Sequence, residues 1–468
     1  MKYIYSLFLL LIVLGIKTSA QTITAFGSGT TDTALSGQGV IRVSYVDPVT
    51  NDLYVGGDFE FAGGKQCFGI ARWNGNEWFS MGGGLVDSLG YFYYHVQDIK
   101  RLNNEIYIGG NFNFVDGVNS PGISRWNGTT WQKVGDSLKV IGGPYGSIIR
   151  MEVFNNELYV VGRFDSVGNI PSKSVAKWDG SNWDAIGGNF PGGFCYYDGF
   201  YAVKAYKNEI YIAGNMNCSV GSEKLLKRVG NNWIQVNQAF NGDVTLNYLT
   251  EFQNKLYVGG YFFTQNGNVD NSLVYLENNS FMPTAGGVLP SNCDVMQAHR
   301  GELYVAGQIN TAGSQPINRI GKWDGTQWLN TGLSVTDSNR FSDPRGAILS
   351  MTEYNGKLLV AGSFTHINNT PANNIALIEF PKVGINENKD DKNLTIFPNP
   401  TTGKITLINS NKDFNTLTLY SIEGKKILHQ TLLNVKDQTI DLGSQMPGIY
   451  IAKLQGSNSV ESFKIIIE

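Results

Sequence analysis

Charged residues, cysteines and histidines are all scarce in this sequence. Asp, Glu, Lys and Arg make up 16% of the 468 residues, and the formal net charge is −3. There is no long basic run, which argues against a nucleic-acid partner. The four cysteines and four histidines match no zinc spacing, and the HExxH, GxSxG and EF-hand motifs are absent. We therefore expect no metal and no cofactor, and no recognised catalytic motif is present.

Long hydrophobic runs are also missing, except at the N-terminus. There a lysine precedes an apolar run from Tyr3 to Ile16, and small residues lead up to Gln21. This pattern is typical of a secretory signal peptide over residues 1–20, cleaved between Ala20 and Gln21. A membrane anchor is the alternative, but the run is shorter than the roughly 20 residues that span a bilayer. We expect an exported protein with no transmembrane segment after signal removal.

Export would place the cysteines in an oxidising compartment, where up to two disulfides can form. The four are Cys67, Cys195, Cys218 and Cys293. Their order does not fix their pairing: a bridge between Cys195 and Cys218 and free buried thiols are both compatible with the sequence.

What the sequence does contain is one repeat, present seven times. The segment LYVGGDFEFAGGKQCFGIARWNG at 53–75 returns as IYIGGNFNFVDGVNSPGISRWNG at 106–128. The second position of each LYVGG-like unit, at spacings of 46 to 55 residues, falls at Tyr54, Tyr107, Tyr159, Tyr211, Tyr257, Tyr304 and Leu359. A period near ~50 residues indicates a β-propeller or a solenoid, and ~50 is the length of kelch repeats.

Each copy predicts four short strands in an antiparallel meander. A two-residue turn such as Asn103-Asn104 precedes the LYVGG-like strand, in which apolar residues alternate. Asn-Gly or Asp-Gly pairs follow the third strand, at 74–75, 127–128, 179–180 and 324–325. Such pairs favour positive φ at both positions, which predicts type I′ turns. The fourth strand carries Trp78, Trp131, Trp183, Trp233 or Trp328. This meander corresponds to one propeller blade.

The phase of the repeat predicts a closed ring. The last copy ends at 374–380 without a fourth strand, and an unmatched strand lies at 22–29. If the N-terminal strand completes the last blade, residues 21–380 form a seven-bladed β-propeller with four-stranded blades. We therefore expect an all-β fold. The recurrent Trp and Tyr would fill the layers between blades, and the paired glycines would let strands pack closely.

The pattern LYVGGxF…IARWNGxxW resembles kelch-type and galactose-oxidase-like propellers. It also resembles the repeats of fungal Rax2-like surface proteins and of secreted Bacteroidetes proteins. The resemblance covers about residues 21–381 and implies a fold rather than an activity. Galactose oxidase binds copper through Tyr, His and a Cys-linked Tyr. CYY at 195–197 and His95 invite the comparison, but the family's paired His ligands cannot be placed here, so we expect no copper site.

The composition changes at Pro381. Residues 381–393 are polar, charged and free of aromatics, which indicates a linker. Residues 394–468 show alternating strands separated by glycine turns, which predicts a small Ig-like β-sandwich.

Four motifs in this module stand in a familiar order and spacing: FPNPTTG at 397–403, LYSIEGKKI at 419–427, MPGIYIAKL at 446–454 and FKIII at 463–467. The segment closely resembles the type A C-terminal sorting domain of the Bacteroidetes type IX secretion system (T9SS). The matching positions include Pro398, Asn399, Pro400, Gly403, Gly448, Tyr450 and Lys464. Family members often end in lysine, whereas this chain ends in Glu468.

The resemblance implies a route and a partner. The signal peptide would direct export across the inner membrane, and the type IX machinery would recognise the module. A sortase-like peptidase would then remove it within about 381–393. The passenger would be secreted or attached to lipopolysaccharide on the outer-membrane surface. The alternative is an adhesion domain that stays attached.

Function is expected on one face of the propeller. Short turns and long connections alternate in a meander, so the long loops gather on one side, the long-loop face. Two of its stretches, YFYYHV at 91–96 and FCYYDGFY at 194–201, are rich in aromatics. They predict binding of a glycan or a protein through Tyr93, Tyr94, Tyr196 and Tyr197. Alternatively, these residues only start the next strand or plug the channel mouth.

Three functions are compatible with the sequence. A non-catalytic surface or secreted binding protein ranks first, because no catalytic constellation is present. A polysaccharide hydrolase or lyase ranks second and would use loop carboxylates such as Asp58, Asp116, Asp165 and Asp343. A structural component of the cell envelope ranks third. Enzymatic activity thus stays open, with the sequence favouring a protein that is not an enzyme.

A last pattern is the triplet of Asp, Ser or Thr, and a small or apolar residue. It resembles the O-glycosylation sequon of Bacteroidetes periplasmic proteins and occurs at 32–34, 87–89, 136–138 and 165–167. The resemblance implies glycan on Thr33, Ser88, Ser137 and Ser166.

Overall fold

The protein is described by a computed structural model. The described residues are 21–32, 39–85, 95–136, 138–139, 146–187, 190, 195–196, 199–218, 221–236, 240–264, 272–337, 346–380, 394–409, 414–421, 426–433, 435, 437–443, 445–456 and 460–468. In this part of the chain every helix or strand element is a β-strand. Gln21–Glu379 form one compact unit, and Phe380–Glu468 belong to a second.

Among its described residues the first unit contains seven antiparallel sheets of four or five strands, numbered here in chain order, and four smaller sheets of two or three short strands. Sheets 4 and 6 have a fifth strand of two residues, Cys195–Tyr196 and Gln315–Pro316, and the other strands of each sheet are given below. The strands of sheet 1 are Val40–Val46, Leu53–Asp58, Ile70–Trp73 and Trp78–Ser80. Those of sheet 2 are His95–Leu102, Glu105–Asn111, Ile123–Trp126 and Trp131–Lys133. Those of sheet 3 are Ser147–Phe154, Glu157–Arg163, Val175–Trp178 and Trp183–Asp184. Those of sheet 4 are Phe200–Tyr206, Glu209–Cys218, Gly221–Val229 and Asn232–Gln235. Those of sheet 5 are Phe240–Phe252, Lys255–Thr264, Leu273–Glu277 and Ser280–Pro283. Those of sheet 6 are Val288–His299, Glu302–Ala312, Ile320–Trp323 and Trp328–Asn330. Those of sheet 7 are Ala347–Tyr354, Lys357–Ser363, Ile375–Glu379 and Thr22–Ala25.

The fourth strand of sheet 7 comes from the other end of the chain, as the sequence predicts. Thr22–Ala25 pairs antiparallel with Ile375–Glu379, from Thr22 opposite Glu379 to Ala25 opposite Ala376. The edge of the last sheet is thereby covered by the first strand of the unit.

The first strands of the seven sheets are neighbours in a closed cycle. Each contacts the first strand of the next sheet, and Ala347–Tyr354 of sheet 7 contacts Val40–Val46 of sheet 1. Polar groups join several of these neighbours. The Met151 N–H donates to Asp98 Oδ2 at 2.7 Å, and the Ser44 N–H donates to Ser350 Oγ at 2.8 Å. The first strands therefore line a common axis, and the fourth strands lie farthest from it in each sheet.

Tryptophans of the fourth strands connect adjacent sheets, as the repeat predicts. The indole N–H of Trp131 donates at 2.7 Å to the carbonyl of Met81, which follows the last strand of sheet 1. That of Trp233 donates at 2.8 Å to the carbonyl of Ile186, which follows the last strand of sheet 3. The same indole bond recurs at Trp183 and Trp328. Each of these four side chains thus buries apolar area and donates a hydrogen bond to a backbone carbonyl of the neighbouring repeat. Together the two contacts fix the spacing between adjacent sheets.

The two kinds of hairpin turn differ from each other. Asn103-Asn104 has φ of 48° and 65°, the positive pair expected of a type I′ turn. The type I′ prediction for the Asn-Gly and Asp-Gly pairs is wrong. At 74–75 only Gly75 has positive φ, and the loop spans 74–77 because Trp73 pairs with Trp78. The Asn74 side-chain oxygen accepts the N–H groups of residues 76 and 77, so an Asx turn replaces the tight turn.

The second unit has two antiparallel sheets. One contains Leu394–Phe397, Lys404–Asn409 and Asp437–Asp441, and the other contains Lys426–Thr431, Phe414–Ser421, Gly448–Gly456 and Val460–Ile467. Leu407 and Ile440 of the first share a buried core with Leu417, Leu454 and Ile465 of the second.

Candidate functional site

The first strand of every sheet carries a β-bulge at the equivalent position. In sheet 1, Ile41 pairs with Gly57 and Val43 with Gly56, so Arg42 is left without a partner in the ladder. The unpaired residues of the seven sheets are Arg42, Gln97, Ile149, Tyr201, Asn247, Asp294 and Leu349. All seven are half-buried, and we call them the bulge ring.

A glycine of the repeat faces each bulge and explains the Gly-Gly pattern. Gly57 and Gly110 are examples. A Cβ on Gly57 would collide with the Val40 carbonyl oxygen, and a Cβ on Gly110 with that of His95. Only a residue without a side chain lets the bulged strand come this close. The bulge therefore belongs to the repeat, whereas the residue at its tip varies.

The bulge ring lines a cavity of about 260 Å³, together with Arg150 and Gln308. A second cavity of about 240 Å³ is lined by residues farther along the first strands, among them Tyr45, Asp98 and Thr250. Four residues line both: Arg42, Gln97, Arg150 and Leu349. The two cavities therefore share a wall on the axis. The bulge-ring cavity, here the outer cavity, lies toward the ends where the long connections enter the first strands.

Arg150 differs from the other cations of the axis. Lys100 and Lys204 are paired with Asp98 and Glu152 at 2.8 and 2.7 Å. Within the described residues no carboxylate lies at ion-pair distance from Arg150. Its Nη1 donates to the carbonyls of residues 149 and 97 at 2.9 and 3.3 Å, and its guanidinium lies 5.6 Å from the ring centre of residue 248, a tyrosine. This leaves N–H groups of a half-buried guanidinium available to a ligand.

Asp294 is the carboxylate of the bulge ring. Burial raises its pKa to about 6, although the charges of Arg150 and Arg319 and the backbone N–H of Gln308 act in the opposite direction. A carboxyl group with a raised pKa inside a cavity makes Asp294 a candidate functional residue.

Three of the four loop acids suggested as catalytic groups are described, and each takes part in a contact within the fold. Burial would raise the pKa of Asp58, but hydrogen bonds and charges from His95 and Arg42 hold it below its usual value. Asp116 Oδ1 accepts the Gly83 N–H at 2.7 Å. Asp165 donates its N–H to the Lys139 carbonyl, and Asp343 lies outside the described residues. The described residues hold no cluster of His, Cys, Asp and Glu able to bind a metal.

The aromatic loops fall largely outside the described part of the chain. Tyr93, Tyr94 and Tyr197 are not described, and the backbone of Tyr196 pairs with Asn217. Their role in binding stays a prediction.

The same short strand brings two of the four cysteines opposite each other. Cys195 lies directly opposite Cys218 in the backbone register. Cys67 and Cys293 are buried free thiols, and burial raises the pKa of Cys67 to about 11.

Glycosylation also stays a prediction. Thr33, Ser88 and Ser137 lie outside the described residues. Ser166 is half-buried, and its hydroxyl donates to the Gly168 carbonyl at 3.3 Å.

The predicted sorting motif binds the last strand of the chain. Asn399 Nδ2 donates to the Lys464 carbonyl at 2.6 Å, and Asn399 Oδ1 accepts the Ile466 N–H at 2.8 Å. Gly403 has φ of 118° and sits in the turn after Pro398 and Pro400. Its carbonyl accepts a backbone N–H, from Leu442. On the other sheet Tyr450 donates its hydroxyl to the Met446 carbonyl at 2.8 Å, and Gly448 begins that strand.

Sequence reasoning missed the bulge ring, although a signal was present. Six of its members lie 13 residues before the repeat glycine opposite the bulge, as Gln97 does before Gly110. Arg42 lies 15 residues before Gly57, because the first hairpin is longer.

Comparison with protein families assigns parts of the chain. Residues 395–468 match the secretion system C-terminal sorting domain. Residues 254–280 and 355–379 match a β-propeller family described as a domain of unknown function, DUF5122. No curated protein matches the sequence.

Solved structures give distant matches. Two are extracellular domains from Bacteroides thetaiotaomicron, described as parts of a one component and a hybrid two component system. They share 10% and 11% identity with this chain, with TM-scores of 0.39 and 0.36, over 96% and 95% of its length. This chain spans 58% of the first and 74% of the second. A third solved structure is a protein of unknown function from the same organism, with 11% identity to this chain and a TM-score of 0.37. The match covers 77% of this chain and 76% of the other.

No helix in the described residues is long and apolar enough to cross a membrane. The sorting domain indicates export to the cell surface or beyond it, and it implies contact with the type IX machinery. The described part of the chain is all-β, with segments that match a β-propeller family and a C-terminal region that matches a secretion system C-terminal sorting domain.

Proposed function

We propose that this protein is a secreted or cell-surface binding protein whose ligand, a glycan or a protein, enters the bulge ring from the long-loop face. The observation that carries the proposal is the contrast between scaffold and ring. The bulge and its opposing glycine recur in every sheet, yet the seven tip residues are Arg, Gln, Ile, Tyr, Asn, Asp and Leu. Bulges re-aim side chains and are common next to binding and active sites.

The architecture proposed for residues 21–380 is a seven-bladed propeller of the kelch or Rax2-like kind. Its support is the seven sheets, the cyclic contacts of their first strands and the pairing of Thr22–Ala25 with Ile375–Glu379. An Ig-like sandwich is proposed for 394–468, on the support of its two sheets with one core. Signal removal after Ala20 and cleavage within the linker 381–393 complete the proposed maturation.

A hydrolase or lyase is the second candidate, and Asp294 is the observation in its favour. Its raised pKa suits an acid or base near neutral pH. Glycoside hydrolysis usually needs two carboxylates about 5–10 Å apart. The described lining of the outer cavity contains one. Binding is therefore the better-supported function, and a structural role in the envelope has no specific support.

A glycan and polysaccharide array probed with the purified chain tests this proposal. We expect binding without product release, and the double variant Gln97→Ala/Asn247→Ala should lose it. Gln132→Ala, on the outer strand of the same sheet as Gln97, is the matched control and should bind normally. Product release would favour the hydrolase or lyase. Unchanged binding by the double variant would remove the bulge ring as the site.

A further inference from the structure

The charge balance of the outer cavity favours an anionic ligand group. Arg42 and Arg150 line it, and Arg163 stands beside it with its guanidinium 5.7 Å from the ring centre of Tyr201. Asp294 is the single described carboxylate of the lining. Arg42 is engaged by an ion pair with a neighbouring aspartate, whereas Arg150 has no such partner in the described residues.

We propose that Arg150 binds the carboxylate of an acidic sugar residue that enters the outer cavity. The proposal rests on the proposed function, because it names the ligand class of the same site. A planar guanidinium matches a carboxylate through two parallel N–H···O bonds, which a lysine cannot form. Arg150 is suited to this because two backbone carbonyls and the Tyr248 ring already fix its orientation.

The remaining lining matches a sugar ring better than a bare anion. Gln97, Asn247 and Gln308 are amides, which can both donate to and accept from hydroxyl groups. Tyr201 adds an aromatic side chain whose hydroxyl accepts from Arg163 Nη2 at 3.3 Å, so its position is fixed. The cavity volume of about 260 Å³ lies below the roughly 300–1,000 Å³ of drug-sized ligand sites. This space suits one terminal sugar residue with its chain extending outward.

Because Asp294 titrates inside the cavity, the affinity for an acidic sugar should depend on pH. When Asp294 ionises, as pH rises through about 6, its charge repels a bound carboxylate. The other charged or titratable groups that face it are Arg150, Arg319 and the buried thiol of Cys293, with Arg42 and Tyr201 around the same cavity. Arginines keep their charge throughout this range. Affinity for an acidic sugar should therefore fall several-fold between about pH 5 and pH 7.5.

Isothermal titration calorimetry on the purified chain tests the proposal with two matched probes. One is an oligosaccharide ending in glucuronate, and the other is the same oligosaccharide ending in glucose. We expect the acidic probe to bind at least about 10-fold more tightly. Arg150→Gln should weaken its binding about 10- to 100-fold, and Arg150→Lys should restore only part of it. Arg300→Gln, in a short turn on the opposite face, should have no effect.

Each alternative result has a distinct meaning. Equal affinity for the acidic and neutral probes would overturn the carboxylate proposal and leave the proposed binding function intact. Binding of neither probe, nor of any glycan on the array, would overturn both. Binding of a peptide C-terminal carboxylate without the acidic sugar would overturn the ligand class. If Arg150→Gln fails to fold, the comparison of the two probes on the unmodified chain still decides the proposal.

Discussion

Asp294 holds a charge in the bulge ring at a cost to the stability of the fold. Its pKa rises from 3.8 to about 6, chiefly because burial disfavours the ionised form. Each pKa unit corresponds to about 1.4 kcal/mol, so ionisation costs the folded state about 3 kcal/mol relative to the unfolded chain. We predict that Asp294→Asn increases the free energy of unfolding by up to that amount at pH 8.

The sign of the pH dependence follows from linkage. The folded-state pKa lies above the unfolded value, so the folded state binds more protons between about pH 4 and pH 6. Wild-type stability should therefore fall, relative to the variant, as pH rises through this window, and the difference should be constant above it. Below about pH 4 the carboxyl is protonated in both states, so the advantage of the variant should disappear.

Urea unfolding followed by tryptophan fluorescence measures this difference. All nine tryptophans lie between residues 73 and 328, so the signal reports on the first unit. Asp324→Asn is the matched control: burial would raise the pKa of Asp324, but hydrogen bonds from Gln327 and Thr326 hold it at about 2. Sheets 1 and 2 carry Asn at the equivalent position, so the control should give no gain. Equal gains in both variants, or a gain independent of pH, would refute the reasoning.

Three further predictions concern the scaffold. Trp131→Phe removes the indole N–H that donates to the Met81 carbonyl, so it should lower the free energy of unfolding by about 1–2 kcal/mol in the same assay. An unchanged unfolding midpoint would contradict the role of this hydrogen bond. Asn399→Ala removes two hydrogen bonds to the last strand and should speed limited proteolysis of the sorting domain, whereas wild-type resistance would show that these bonds are dispensable. The register of Cys195 and Cys218 predicts a disulfide, so maleimide should label two of the four thiols in unreduced, denatured chain; four labels would exclude the bridge.

The repeated features of the fold were predictable because they are written several times. Trp131 and its equivalents recur in register, and their packing between sheets follows from that recurrence. The indole hydrogen bonds of Trp131 and Trp233 to the neighbouring sheet do not, because the indole N–H of Trp78 at the same position of the repeat has no partner among the described residues. The pairing of Thr22–Ala25 with the last sheet followed from the phase of the repeat. The turn at Asn74-Gly75 differs from the predicted type I′ turn because a dipeptide preference ignores the side-chain oxygen of Asn74. That oxygen accepts two backbone N–H groups, and the loop is longer as a result.

The bulge ring was not predicted, for a reason that is also physical. A pattern search finds positions that stay the same, whereas ring members such as Arg42, Ile149 and Asp294 share a position but no chemistry. Nothing in a single copy marks the skipped pairing, because a strand with a bulge still looks like an apolar strand. The sequence shows the repeat glycine, whereas only the strand register shows which residue lies opposite it.

The pairing of Thr22–Ala25 with Ile375–Glu379 also has a consequence for the order of events during export. The two partners are separated by some 350 residues, and joining chain segments that far apart costs an entropy on the order of 5 kcal/mol. A vectorially delivered chain cannot make this contact until residue 379 has emerged, by which time six sheets have had time to form. If the chain is delivered from its N-terminus, we therefore expect closure to follow the formation of the first six sheets. A chain truncated before Ile375 would leave a sheet edge unpaired and exposed to the chaperones of that compartment.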